Sequence, residues 1–146
     1  LLAKNEAVSK VKTDFLKLIK PYQVDLIGGL DARGFLFSTL VADALGVGSF
    51  MIRKDGKLPG GVVSKEYQLE YGVSKLSVKK NLDLKNKNII LIDDLLATGG
   101  TLRCAEDLIS FSKGTVVSFL VVIELVALSG KDKLNSTVHS LLKYDT

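Results

Sequence analysis

Ile89-Ile90-Leu91-Ile92-Asp93-Asp94-Leu95-Leu96-Ala97-Thr98-Gly99-Gly100-Thr101 is the stretch whose reading decides the fold of this chain. The aliphatic run Ile89 to Ile92 is short, rich in β-branched residues and followed by turn residues, which predicts a strand buried on both faces. Asp93 and Asp94 then arrive at the C-terminal edge of the sheet, where ligands of open α/β sheets bind. Gly99 and Gly100 predict a turn, followed by a helix from about Thr101 to Ser112. A glycine-rich entry lets backbone N–H groups approach a phosphate without a Cβ in the way, and the helix N-terminus adds unsatisfied donors and a positive dipole end. Thr98 and Thr101 bring hydroxyl donors. An Asp pair by itself reads equally well as two solvated carboxylates. The whole string combines a phosphate cradle with two carboxylates suited to vicinal hydroxyls, and so describes a site for a ribose 5-phosphate.

Outward from that corner the chain alternates helical and extended patterns. Val8, Val11, Phe15, Leu16 and Ile19 recur at helical spacing, and Pro21 closes that helix. Val24 to Ile27 reads as a buried strand ended by Gly28-Gly29. A second helix follows Asp31-Ala32-Arg33-Gly34, patterned on Leu36, Leu40, Val41, Ala44 and Leu45, with Gly46 as its stop. Ser49 to Ile52 reads as a strand leading to Arg53 and Lys54. Residues 55 to 72 carry Gly56, Pro59, Gly60, Gly61 and a polar stretch with little periodicity, which predicts a long mobile loop. Val73 to Val78, Val116 to Ile123 and Val138 to Leu142 complete the strands. Strands alternating with helices imply one α/β domain over residues 1–146, with a parallel sheet covered on both faces.

Composition limits what such a domain can be. The 146 residues are 47% hydrophobic and 25% charged, as in ordinary globular proteins, and suffice for one core. The formal net charge of +4 comes from scattered Lys and Arg with no basic block, so no nucleic-acid surface is expected. No apolar run approaches the roughly 20 residues of a membrane span. The single Cys104 rules out an internal disulfide, and with no signal-peptide pattern a cytoplasmic location is expected. Neither G-x-x-x-x-G-K-[ST] nor a strand followed by G-x-G-x-x-G occurs, which removes the P-loop and dinucleotide readings. Cys104 and the lone His139 are far apart in sequence and read as structural, not as a nucleophile and its base.

The string LIDDLLATGGT resembles the phosphoribosyl-pyrophosphate signature of the type I phosphoribosyltransferases. Three more segments, GLDARGFLF (29–37), IRKDGKLPG (52–60) and YQLEYG (67–72), are similar in order and spacing to the adenine phosphoribosyltransferases of that family. So are the strand end Ile123-Glu124-Leu125 and the closing Ser140 to Tyr144. This resemblance implies a twisted, mainly parallel sheet flanked by helices, with a flexible catalytic loop. The implied reaction is transfer of the phosphoribosyl group of 5-phosphoribosyl 1-pyrophosphate to adenine, giving AMP and pyrophosphate in purine salvage by a homodimer. Mg²⁺ would be held through the substrate's pyrophosphate and ribose hydroxyls, with no direct protein ligand. By the same resemblance Asp93 and Asp94 hold the ribose hydroxyls, and Ala97, Thr98, Gly99, Gly100 and Thr101 hold the 5-phosphate. Asp31, Ala32 and Arg33 match the pyrophosphate loop, where the family often has a non-proline cis peptide. Arg53, Lys54 and Lys57 face the pyrophosphate. Glu70 and Tyr71 match the catalytic loop tip, with Glu70 near the purine N7 as the candidate for handling its proton, and Leu125 packs against the base.

Members of the family also carry a hood segment before the position of Leu1, which is expected to lie outside this sequence. The alternatives are a phosphoribosyltransferase for xanthine, hypoxanthine or guanine, and a non-catalytic regulator that senses phosphoribosyl pyrophosphate.

Overall fold

The run Ile89 to Ile92 lies in a deeply buried strand, and the sheet is built around it. The structure is a computed structural model and describes residues 1–69 and 72–145. In chain order its elements are α1 (Asn5–Ile19), β1 (Leu26–Leu30), α2 (Gly34–Leu45), β2 (Gly48–Lys54), β3 (Val62–Leu69), β4 (Gly72–Lys79), β5 (Asn88–Leu96), α3 (Gly100–Phe111), β6 (Thr115–Leu125) and β7 (Val138–Tyr144), with two 3-10 turns, Val126–Leu128 and Gly130–Lys133, between β6 and β7. The sheet has seven strands in the order β3-β4-β2-β1-β5-β6-β7. From β2 to β7 the neighbours run parallel, whereas β4 pairs antiparallel with both β2 and β3.

Strand β5 lies between β1 and β6, and its side chains alternate between two cores. Ile90 and Ile92 pack with Val11, Phe15 and Ile19 of α1 and with Phe37 and Val41 of α2. Ile89 and Leu91 point the other way, against Leu102, Ala105, Leu108 and Ile109 of α3. All four have no exposed surface, which is why the sequence shows a continuous apolar run there and no alternation. Each such side chain contributes about 1.5–3 kcal/mol by leaving water.

Four expectations from sequence need correction. Strand β1 does not end at Gly28-Gly29 but runs through both to Leu30. A Cβ at Gly28 would lie 2.7 Å from Leu91 Cδ2 and 2.8 Å from Phe50 Cζ, so the glycine is there for close packing and not for a turn. Likewise Asp93 to Leu96 belong to β5, and the turn begins only at Ala97. In α2 the buried positions are Gly34, Phe37, Ser38, Val41 and Ala42, while Leu36, Leu40 and Leu45 are exposed. Small residues at 34, 38 and 42 let that helix approach the sheet along a different stripe from the one the leucines suggest.

The fourth correction is the largest. Residues 55 to 72 are not one long loop: 62–69 form β3, paired in register with β4 from Val62↔Lys79 to Leu69↔Gly72. Along β3 the side chains of Val63 and Tyr67 pack on the α3 core, and Lys65 reaches over the ring of Phe111, its Nζ 5.4 Å from the centroid. A lysine in the middle inward slot hides the period-2 pattern. Among the described residues no helix is long and apolar enough to cross a membrane.

Candidate active site

Three chain segments reach the same end of the sheet, and the parallel topology requires it. The C-terminal ends of β1, β2 and β5 all point there, carrying Asp31-Ala32-Arg33, Arg53-Lys54 and Asp93-Asp94. They enclose a cavity of about 470 Å³ lined by Asp31, Ala32, Arg33, Lys54, Tyr67, Asp93, Asp94 and Leu95 through Leu102. Its volume is in the range of small-molecule sites.

One wall is the turn from β5 into α3. Gly99 caps the helix with φ +89°, a left-handed conformation that favours glycine. Among the described residues no side chain caps this end, so the N–H groups of the first turn, Gly100 to Leu102, remain free beside the cavity. A Cβ placed on Gly100 would have nothing nearer than Tyr67 Cδ2 at 4.0 Å. The wall is therefore a concave run of donors at the positive end of a helix, a ready site for an anion.

The floor carries the acids. Asp93 Oδ1 accepts a hydrogen bond of 2.8 Å from the Asp94 N–H, and Asp94 Oδ2 pairs closely with Arg33 Nε. Burial pushes the Asp93 carboxyl up from 3.8 to about 8, and its side-chain contact with Asp94 adds to the rise. Asp31 Oδ2 accepts from Arg53 Nε and from the Lys54 N–H, both at 3.2 Å. Arg53 also stacks over Phe35, 5.6 Å from its centroid. The peptide between Asp31 and Ala32 is cis.

The residues singled out from sequence divide as follows. Asp31, Ala32, Arg33, Lys54, Asp93, Asp94 and Ala97 through Thr101 meet in the cavity. Arg53 lies beside it, holding Asp31. Lys57 is exposed on the loop after β2, away from the cavity lining, and Leu125 ends β6 half-buried, also outside that lining. Glu70 and Tyr71 lie outside the described residues. Tyr67 was missed: its hydroxyl stands 3.5 Å from Thr101 Oγ1, at the outer limit of a hydrogen bond. Gly130 was also missed, and nothing in its sequence context marks it.

Comparison with known proteins gives a consistent picture. The phosphoribosyl transferase domain family matches residues 3–141. The adenine phosphoribosyltransferase of Clostridium beijerinckii is 45% identical over 146 residues, covering 99% of this chain and 85% of that protein. Among solved structures, the adenine phosphoribosyltransferase of Thermoanaerobacter pseudethanolicus superposes with a TM-score of 0.94 at 38% identity, covering 98% of this chain and 84% of that one. The Saccharomyces cerevisiae enzyme, complexed with an imino-altritol bisphosphate and adenine, gives 0.92 at 35% identity, with 97% and 82% covered.

Proposed function

The chain belongs to the phosphoribosyl transferase domain family, and from that premise we propose that it joins adenine to 5-phosphoribosyl 1-pyrophosphate, releasing AMP and pyrophosphate. The fold is the type I α/β fold of that family, and the activity is that of a pentosyltransferase in purine salvage. The observation that carries the reading is one cavity holding a free helix N-terminus and two adjacent carboxylates opposite Arg33 and Lys54. These are the groups a 5-phosphate, a ribose and a pyrophosphate need.

The 5-phosphate would accept from the amides of Gly99 to Thr101 and from the hydroxyls of Thr98 and Thr101. Asp93 and Asp94 would bind the ribose hydroxyls. Cleavage of the C1–O bond builds positive charge on the ribose and negative charge on the departing pyrophosphate. Arg33 and Lys54 would meet that negative charge, a role the segment resemblance also gives to Lys57, and groups fixed before the reaction need no reorganisation during it. Arg53 would act through Asp31, holding the 31–33 turn where its amides and Arg33 face the leaving group.

The residues present fit Mg²⁺ held mainly by substrate. Asp31 is engaged by Arg53 and Asp94 by Arg33, which leaves Asp93, among the described residues, as the cavity carboxyl without an ion-pair partner. Among the described residues no group of three or more acids, His or Cys could cage a metal. A magnesium ion characteristically uses one or two carboxylates together with substrate oxygens; when bound here it would neutralise pyrophosphate charge. Glu70 is assigned the purine's proton near N7, Tyr71 a contact over the site, and Leu125 a face against the base, all carried over from the segment resemblance. A homodimer and a cytoplasmic setting belong to the same proposal.

Incubating the purified protein with adenine, phosphoribosyl pyrophosphate and Mg²⁺ tests it. AMP formation is expected, with little turnover of hypoxanthine, guanine or xanthine. Turnover of one of those three and not of adenine would overturn the base assignment, and ligand binding without turnover of any base would leave a sensor.

A further inference from the structure

The turn between β6 and β7 contributes nothing to the cavity lining, yet it presses on the back of the anion-binding turn more closely than any side chain would allow. A Cβ added to Gly130 would lie 2.9 Å from Leu96 Cδ1 and 3.0 Å from the Gly99 nitrogen, and would collide with the Ala97 carbonyl oxygen. The approach is reciprocal, since a Cβ on Gly99 would collide with the Gly130 carbonyl oxygen and stand 3.1 Å from Gly130 Cα. Backbone therefore lies directly on backbone across Ala97, Gly99 and Gly130. Gly130 is buried although its neighbours Ser129 and Lys131 are exposed.

Two independent tethers hold this turn to the same helix that the anion-binding turn begins. Arg103 Nη1 donates to the Lys133 carbonyl at 2.8 Å. Deeper, Glu106 is 4% exposed and accepts hydrogen bonds from the Asn135 N–H at 3.0 Å and the Ser136 N–H at 3.1 Å, with the Ser136 hydroxyl 2.9 Å from its Oε2. Ser136 passes the connection on, its hydroxyl lying 2.6 Å from the Val116 carbonyl of β6. A buried carboxylate held by two successive backbone N–H groups is fixed in place. The anion-binding turn, α3 and segment 130–136 thus close a triangle, with a bare glycine at the vertex nearest the ligand.

We propose that Gly130 is a positioning residue for the 5-phosphate. The 130–136 segment, clamped by Arg103 and Glu106, acts as a backing plate that sets how far the Ala97–Gly100 backbone can recede from the bound anion. Anything larger than hydrogen at position 130 pushes that backbone into the cavity and narrows the cradle. The proposal rests on the assignment of the cavity to a phosphorylated pentose.

The test compares Gly130→Ala with Gly114→Ala. Gly114 lies beyond the opposite end of α3 and outside the cavity lining, where a Cβ would also be crowded, though less severely, 2.9 Å from the Leu84 carbonyl oxygen and 3.0 Å from Ile109 Cγ2. Ribose 5-phosphate is titrated calorimetrically into wild type and both variants, and KM is measured separately for phosphoribosyl pyrophosphate and adenine. With Gly130→Ala the affinity for ribose 5-phosphate falls, and KM for phosphoribosyl pyrophosphate rises, by about 100-fold, the penalty of an ångström-scale misplacement. KM for adenine is unchanged. Gly114→Ala lowers the melting temperature and leaves both constants alone. Equal affinity for ribose 5-phosphate in Gly130→Ala and wild type overturns the proposal, as does equal weakening in Gly114→Ala. Failure of wild type to bind ribose 5-phosphate at all would remove the functional reading and this proposal together, a separate outcome. Should Gly130→Ala not fold, Arg103→Met removes the bond to the Lys133 carbonyl together with the exposed pair to Asp107, and about fivefold weaker ribose 5-phosphate binding is expected from the lost tether. Unaltered binding in that variant then overturns the proposal.

Discussion

The β5–α3 corner and the β3–β4 hairpin border the same cavity and are held in opposite ways. The corner is fixed from behind by backbone: β5 pairs on both sides, and Gly130 abuts the turn directly. Among the described residues the hairpin's ladder to the rest of the sheet comprises Arg53↔Ser77 and Lys54↔Leu76, continued by the Asp55 N–H donating to the Lys75 carbonyl at 3.1 Å. Otherwise it rests on α3 through side chains, among them Val63 and Tyr67, and through the Cys104 thiol, which donates to the Lys65 carbonyl at 3.4 Å. The corner is therefore preorganised, and its residues should be sensitive to charge and shape. The hairpin is an appended cover, and its residues should show graded effects.

The sharpest test of that contrast is at the corner's carboxylates. Asp93→Asn with Asp94→Asn keeps shape and removes charge, and should lower kcat/KM about 1,000-fold or more if both contacts are stronger in the transition state. The circular dichroism spectrum should not change. An undiminished rate would break the assignment of the ribose contacts. Gly100→Val comes next. The open space beside that Cβ means the helix should still form, while the isopropyl group occupies the cradle, raising KM for phosphoribosyl pyrophosphate about 100-fold. An unaffected KM would mean that the anion does not sit on this turn.

The same contrast explains what could be read from sequence. The corner is legible because its strand is buried on both faces, so Ile89 to Ile92 stand out as a block, and because Gly99-Gly100 mark a turn whatever packs around them. The hairpin is not legible, because one face is solvated and Lys65 takes the middle inward slot, covering Phe111 with its stem and charge. Burial by close approach also leaves little trace. Gly28 reads as a strand end and is a packing site, Leu36 and Leu40 read as core and are exposed, and Gly130 goes unmarked in the sequence although it abuts Gly99. In each case the deciding partner lies far away in sequence.

On the hairpin side, Tyr67→Phe removes one hydroxyl at the edge of the cradle and keeps the ring that packs on α3. A three- to tenfold rise in KM for phosphoribosyl pyrophosphate, about the value of a single neutral hydrogen bond, is expected with kcat little altered. An effect as large as that of Gly100→Val would erase the distinction between a fixed corner and an appended cover, and Tyr67 would then count as part of the corner.

The smallest effect concerns stability and not rate, and it follows from what preorganisation costs the corner when no ligand is present. Burial and the neighbouring Asp94 raise the Asp93 carboxyl from 3.8 to about 8. Between those values the folded protein binds more protons at this position than the unfolded chain, so stability falls as pH rises through that window. Below the lower value the contribution is fully present, and above the upper it has been lost. Asp93→Asn cannot ionise and escapes the loss. In urea titrations the variant's unfolding free energy should therefore gain on that of wild type as pH is raised from 5 to 8. The gain should reach at least ~1 kcal/mol, since a tenfold difference in proton affinity between the folded and unfolded chains corresponds to about 1.4 kcal/mol. It should vanish in acid. A variant losing ground to wild type over that range would show that Asp93 is ionised and well paired in the free protein, leaving Arg33 as its partner as much as that of Asp94. The corner would then be organised by an ion pair, and not by a carboxyl that burial holds neutral.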